Sequence, residues 1–535
     1  MVTGVADNED LRASTILHPR PDESPADLGF DKLRVVRQNT PKPSGMNTFF
    51  RCVTGLIPRS SFRRHAAALG GGALAAQAVQ ALATPILGRL YDPSAFGVFT
   101  LLLSAAAIPA AIGGLRYELA IVLAKNNARA MNIVALQTIC NIASTGLSLL
   151  AVLFFRNQIA AAFGVEELGL WLFLAPLVVF LTNAWLAVTY WLVRTKQFAS
   201  LARCRVAQTS SAAGVQMAAS FLFHGGPLGL IVGFVIGQCV PLLVLLKQVR
   251  LGYSKLLRDA LSLQYIRQSA VDHSNFPKYT VPYGFAAVLR ERGLVLLLGL
   301  FASTHVIGLF ALALRLVYMP VGLISGSIST VLYQRVANER DVSVAGPLTY
   351  RILTTLVTAA TPAFVFIAWH AQDVFAVLLG SQWRDAGLYA ALMATPACTY
   401  LLSGVLDRML DVVGHQRTAL LIEAAYSSLA VLVFLVGLYV FKSAPIAVTL
   451  FAAVTACYHV VWMFAVYRCC RFPLSDLLRI ALKAALVVAF TTSMLLTASL
   501  AFVESTPLWA GLAVLASCYG VVFAVAGWPR FRKEL

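Results

Sequence analysis

Charge is what this chain has least of. Only 12% of its 535 residues are Asp, Glu, Lys or Arg, while 59% are hydrophobic; soluble domains carry about 25% charged residues. That shortage excludes an ordinary water-soluble fold. Acidic groups are the scarcer kind, 24 against 42 Lys and Arg, and leave a net charge of +18. The basic residues punctuate apolar runs on one side, so the excess does not imply nucleic acid. The nine cysteines form no C-x-x-C pair and no histidines gather at metal spacing, so no metal and no cofactor are expected. Nucleophile elbows and phosphate-binding loops are missing too. The chain is therefore not expected to be an enzyme.

What is present is a series of fourteen apolar segments of spanning length, near 65–87, 96–115, 131–155, 169–193, 206–224, 227–246, 280–302, 306–333, 352–372, 386–406, 418–441, 445–466, 484–502 and 507–528. The expected fold class is an all-α polytopic membrane protein of about 14 transmembrane helices. With the N-terminus inside, the inner connections and tail hold 25 Lys and Arg and the outer ones four. That bias sets the orientation, with both termini cytoplasmic. Residues 1–45 are polar, proline-bearing and of mixed charge, and read as a disordered extension. Met46 opens an alternative start. Residues 46–64 read as a basic interfacial segment, and the inner connection 247–279 as a linker carrying an amphipathic helix, with Leu256, Leu257, Leu261, Leu263 and Ile266 on its apolar face.

Arg290, Glu291 and Arg292 interrupt the seventh segment. The apolar run 293–302 covers roughly 15 Å at 1.5 Å per residue, half of a ~30 Å hydrocarbon core. The upstream residues must complete the span, which puts the triplet near the midplane. Arg315 falls at a similar depth in the next segment. Ionisable groups at that depth are costly and face a watery cavity or a partner. Residues 290 and 292 point about 200° apart on a helix, so one is expected to face the route. The other is expected to pair with Glu291 or a neighbouring helix, and a purely structural ion-pair network is the alternative.

A shift of 211 residues superimposes Gly97, Phe99, Leu101, Leu103 and Pro109 on Gly308, Phe310, Leu312, Leu314 and Pro320. Both copies read G-x-F-x-L-x-L with a proline at the same distance. An offset across six spans keeps orientation, so two six-helix lobes in parallel pseudo-two-fold repeat are expected, 65–246 and 280–466. Residues 467–535 then hold spans 13 and 14 and a basic tail. Such repeats place the substrate between lobes and work by rocking. Pro109 and Pro320, recurring by the repeat, are the candidate hinges.

The run Arg89 to Gly97, reading R-L-Y-D-P-S-A-F-G, and the run Arg116 to Leu123, beginning R-Y-E, resemble the polysaccharide transporter family. So do Phe276, Pro277, Tyr279 and Pro282 before span 7, and Gly308, Phe310, Arg315 and Pro320 in span 8. These are lipid-linked oligosaccharide flippases of the multidrug/oligosaccharidyl-lipid/polysaccharide superfamily. The resemblance implies a bacterial inner-membrane protein moving undecaprenyl-diphosphate-linked sugars outward for O-antigen, capsule or exopolysaccharide. The partners it implies are the lipid-linked oligosaccharide, membrane lipids, and a polysaccharide polymerase and chain-length regulator.

On that reading Arg290, Arg292, Arg315 and Glu291 are the candidate substrate-binding residues. Arginine suits a diphosphate because it stays charged and presents a planar donor fork. Arg116 and Glu118, and Asp407 and Arg408, stand at inner helix ends as candidate gating residues or interfacial anchors. Glu423, near the start of span 11, is a candidate for ion coupling or a helix-end residue reaching the interface. A cation-coupled exporter of small amphiphiles with the same two lobes is the alternative function. A polymerase or ligase would need a sizeable outer loop, and the longest outer connection is only 373–385.

Overall fold

The computed structural model describes residues 61–248, 261–337, 342–501, 508–509 and 511–519. The expected extension 1–45, most of the 46–64 segment, part of the 247–279 linker and the C-terminal tail lie outside them. Residues 60–535 form one compact unit. Among the described residues there is no strand.

Thirteen long helices follow one another. In the first lobe they are α1 (Ser61–Leu90), α2 (Pro93–Gly113), α3 (Asn127–Ala162), α4 (Ala175–Arg194), α5 (Phe198–Leu222) and α6 (Pro227–Gln248). The second lobe holds α7 (Val281–Phe301), α8 (Thr304–Ala337), α9 (Gly346–Leu379), α10 (Ala386–Ser403), α11 (Gln416–Tyr439) and α12 (Ala444–Cys469). α13 (Leu474–Ala501) packs on α9. The described part of the fourteenth span is helical at 508–509 and 511–519. In the linker, the helix begins at Leu263 and runs to Asp272, against α3; Leu256 and Leu257 lie outside the described residues.

The repeat is written in the packing. α5 packs on α6 and α1, α4 on α2, α3 and α6; α11 packs on α12 and α7, α10 on α8, α9 and α12. Each pair in one lobe is the other lobe's pair moved on by six helices. The lobes join mainly where α2 meets α8 and α7. α2 starts there on a built cap: Asp92 accepts the Ala95 amide at 2.7 Å, and Pro93 takes the first turn, where its missing N–H is not needed.

Burial distinguishes the two ends of the molecule. At the starts of α2 and α8 one core crosses between lobes, joining Phe96, Phe99, Leu101 and Leu102 to Ile307, Phe310, Trp383 and Tyr389. At the opposite end each lobe has its own cluster. Tyr117, Ile121, Met131 and Trp191 pack in the first; Leu332, Leu353, Leu406 and Tyr467 pack in the second. The lobes thus share one apolar core at one end and have separate cores at the other.

Nine of these helices are long and apolar enough to cross a membrane. α1, α5 and α7 have the length without that composition. All three line the cavity between the lobes, so their polar faces meet water rather than lipid.

Candidate functional site

A chamber of about 1520 Å³ lies between the lobes, larger than the roughly 300–1,000 Å³ typical of small-molecule pockets. Its lining runs from Phe99, Phe310 and Met393, beside the shared core, to Asp407, Asp411 and Gln416, beyond the end of α10. Arg290, Glu291, Arg292 and Arg315 all line it. Glu291, Arg292 and Arg315 are exposed and Arg290 is half-buried. Arg315 stands mid-helix in α8 with Phe310 and Val317 buried on either side; its exposure comes from the chamber. A guanidinium enclosed by helices yet reached by solvent keeps its charge and its free donors.

The arginines are not equivalent. Arg290 forms an ion pair with Glu423 of α11, and its Nη1 donates to the Ser427 hydroxyl at 3.5 Å. Glu423 also accepts the Tyr458 hydroxyl at 2.7 Å. The pair ties α7 to α11 and α12 within the second lobe. Arg292 lies within electrostatic reach of Arg315. Among the described residues no carboxylate forms an ion pair with either. Two like charges facing one wet space, without acidic partners, make a place where an anion gains energy.

Asp407 and Arg408 are exposed in the turn between Gly404–Leu406 and Met409–Val412, on the chamber's open side. Arg408 lies 5.8 Å from the Tyr333 ring centre. Arg116 and Glu118 are outside the chamber lining, where α2 gives way to the short helix Glu118–Leu123; Glu118 is buried and Arg116 half-buried. Pro109 and Pro320 sit within unbroken helices. Among the described residues no three His, Cys, Asp or Glu side chains gather as metal ligands.

Two features were not singled out from the sequence. The first is an aromatic wall. Tyr318, Tyr400, Tyr426, Tyr458 and Trp462 line the second lobe's side of the chamber. Tyr426 and Tyr458 stack at 4.1 Å, and Trp462 follows at 6.0 Å. The Trp462 indole nitrogen is buried without a partner. The spacing of Tyr458 and Trp462, four residues apart on one helical face, was the available signal. The first lobe's side carries Gln80, Thr100, Thr209 and Gln216 instead.

The second feature is a latch at the sealed end, built on the R-L-Y-D-P-S-A-F-G run. Trp383 is fully buried and donates to the Gly88 carbonyl at 2.6 Å, and Gln382 donates to the same oxygen at 2.8 Å. Arg89 donates back to the Val377 carbonyl at 2.8 Å. Phe96 meets the Trp383 ring edge-on at 5.2 Å. The run therefore joins the two lobes, which explains its dense mixture of aromatic, charged and turn residues.

Two similar six-helix lobes around a charged chamber define a membrane-spanning helical fold. Its likeness to solved structures fits that class. The structure of "Lipid II flippase MurJ, inward closed conformation" superimposes with a TM-score of 0.67 at 13% identity, covering 86% of this chain and 99% of the other. An inward-facing multidrug resistance MATE family transporter of the MOP superfamily gives 0.52 at 13% identity, covering 76% and 95%. No curated protein sequence matches the chain. The profile of the polysaccharide biosynthesis protein family matches residues 86–387, more than half of the length. The chain belongs to that family.

Proposed function

We propose that this protein is a flippase that carries undecaprenyl-diphosphate-linked oligosaccharide across the bacterial inner membrane for O-antigen, capsule or exopolysaccharide synthesis. The observation that carries the reading is the pair Arg292 and Arg315, accessible in the chamber and in no ion pair among the described residues. A lipid-linked sugar needs three things of its carrier: a cationic grip on the diphosphate, a polar passage for the sugars, and lipid for the tail. Arg292 and Arg315 supply the first, with forked donors matched to phosphate oxygens. The aromatic wall supplies part of the second, because tyrosine and indole faces accept the apolar C–H faces of sugar rings while their polar tips bond hydroxyls.

With the termini cytoplasmic, the separated end of the lobes faces inward and the latched end outward. The structure then corresponds to the loading state. The head enters beside Asp407 and Arg408, engages the arginines, and leaves when the Gly88–Trp383 latch parts and the inner ends close. Pro109 and Pro320 are the proposed hinges. The family likeness to a lipid II flippase fold supports the substrate class. A polymerase and a chain-length regulator are the proposed receivers of the product.

Export of small amphiphilic cations is the second reading. It is favoured by Glu291, Asp407, Asp411 and Glu423, which share the lining with the tyrosines. The like-charged pair Arg292 and Arg315 weighs against it, since a cation at that depth would meet their repulsion. Replacing Arg315 by alanine tests the choice. Glycan export should be lost while membrane abundance stays normal. Parallel loss of abundance would instead mark Arg315 as a structural residue.

A further inference from the structure

The turn that follows α2 buries a carboxyl group among amides, with the Arg116 Nε also buried and unpartnered. Glu118 is 2% exposed, and its Oε2 has no hydrogen-bond partner. Around Gly114 it shares a site with two similarly buried amides, Gln137 of α3 and Asn183 of α4, and Asn141 stands buried one turn further along α3. Each amide directs its nitrogen to a backbone carbonyl. Gln137 donates to Asn183 O at 3.0 Å, Asn141 to Phe180 O at 2.9 Å, and Asn183 to Val179 O at 3.1 Å. The oxygens of Gln137 and Asn141 are left buried and unpartnered, like Glu118 Oε2. Around Gly114 the site closes tightly. Glu118 Oε2, Gln137 Nε2 and Asn183 Oδ1 come within 3.1, 3.1 and 3.4 Å of the point a β-carbon would occupy. Buried acceptors without donors are costly. A single hydrogen on the carboxyl would turn one acceptor into a donor.

The charged and titratable groups around it are few. Arg116, in the same turn, is 3.8 Å from Glu118 Oε1. Tyr190 of α4 senses the carboxyl electrostatically. Arg194 of α4 directs one terminal nitrogen to the carbonyls of Ile121, Val122 and Ala124, while its Nε is buried without a partner. Tyr117 donates to Ala270 O at 3.4 Å in the linker helix, with Cys140 nearby. Burial raises the pKa of the Glu118 carboxyl from its ordinary value, against the opposing pulls of a backbone N–H at Glu118 and of Arg116.

The geometry points to Glu118 as a proton-binding site, separate from the chamber, whose charge governs the hold of the first lobe on α7. The lever is Arg116. Its guanidinium lies against the backbone of Gly284 in α7, where a β-carbon would overlap it. Leu115 and Arg116 both adopt left-handed backbone, φ 49° and 59°, to place it there, a conformation that needs support from its surroundings. The ionised carboxylate attracts Arg116 away from α7 and into the turn. The protonated form, made by transfer of one proton from water to Oε2, leaves Arg116 free to stay on α7. Use of this proton in transport rests on the flippase reading above; its binding does not.

The test is infrared spectroscopy of the purified full-length protein across a pH series. A carboxylic-acid C=O band should persist at pH values where ordinary Asp and Glu are ionised, and Glu118→Gln should remove it. Arg116→Gln, which keeps the carboxyl, should move the midpoint of that band to higher pH, because a favourable neighbour of the carboxylate is lost. An unchanged band in Glu118→Gln, or an unmoved midpoint in Arg116→Gln, would overturn the proposal. So would loss of the band on replacing potassium by sodium at fixed pH, which would assign the site to a metal cation. None of these readouts requires flipping, so their failure is distinct from failure of the flippase reading.

Discussion

Gly97 of α2 and Gly308 of α8 meet back to back. A β-carbon on Gly97 would fall on the Thr304 carbonyl, and one on Gly308 would fall on the Pro93 carbonyl and 3.0 Å from Gly97 N. Residues 93 and 97 become 304 and 308 under the 211-residue shift. The contact is therefore reciprocal about the axis that relates the two lobes, and only hydrogen fits on either side of it. Backbone approach of this kind relies on close packing that small residues alone permit in a membrane.

Gly97→Ala and Gly308→Ala should accordingly act alike. Each should disfavour the sealed end, the outer one in the proposed orientation, by about 1–3 kcal/mol, the usual cost of overpacking. The measurement is labelling, by an impermeant reagent added outside, of a cysteine substituted for Tyr318 in the chamber. Both variants should raise its rate; equal rates with wild type would remove the outer end's role as a closed gate.

The Arg290–Glu423 pair invites a double-mutant cycle. Its members are partly exposed, 26% and 30%, so solvent screens the pair and a coupling of about 0.5–3 kcal/mol is the expected range. Glu423→Gln should destabilise the protein more than the double change with Arg290→Gln, because it leaves a cation enclosed without its partner. Thermal unfolding in detergent reads the difference. Additive effects would show that the two groups do not depend on each other.

On the proposed function, the aromatic wall takes the sugar and the arginines take the phosphate, so the two can be tested apart. Trp462→Ala should weaken binding of the saccharide-bearing lipid about tenfold, roughly 1.4 kcal/mol. Binding of undecaprenyl diphosphate without sugar should stay unchanged. Equal weakening of both would assign Trp462 to the fold of the second lobe rather than to the sugar.

Much of the architecture was legible because lipid imposes length and composition on a helix. Segments 131–155 and 169–193 needed only their apolar runs, and the Gly, Phe and Pro recurrence at 211 residues located the lobe axis. The triplet 290–292 announced itself as charge in a span. The partner of Arg290 did not, since Glu423 lies 133 residues on and reads alone as a helix-end group. Trp383 was hidden for the same reason: its role depends on the Gly88 carbonyl, brought to it only by the meeting of two lobes. Glu118 reads in sequence as a gating residue or an interfacial anchor, and only the fold sets it beside amides from α3 and α4. Local pattern reveals which residues are out of place; tertiary packing decides what they face.

The central claim is that Arg292 and Arg315 form the diphosphate grip. Its most direct measurement is binding of undecaprenyl-diphosphate-linked saccharide to purified wild type and to the Arg292→Ala/Arg315→Ala variant, at matched fold stability. The account gives at least a tenfold loss of affinity in the variant, and a smaller loss for a lipid monophosphate. Unchanged affinity for the diphosphate lipid would contradict it.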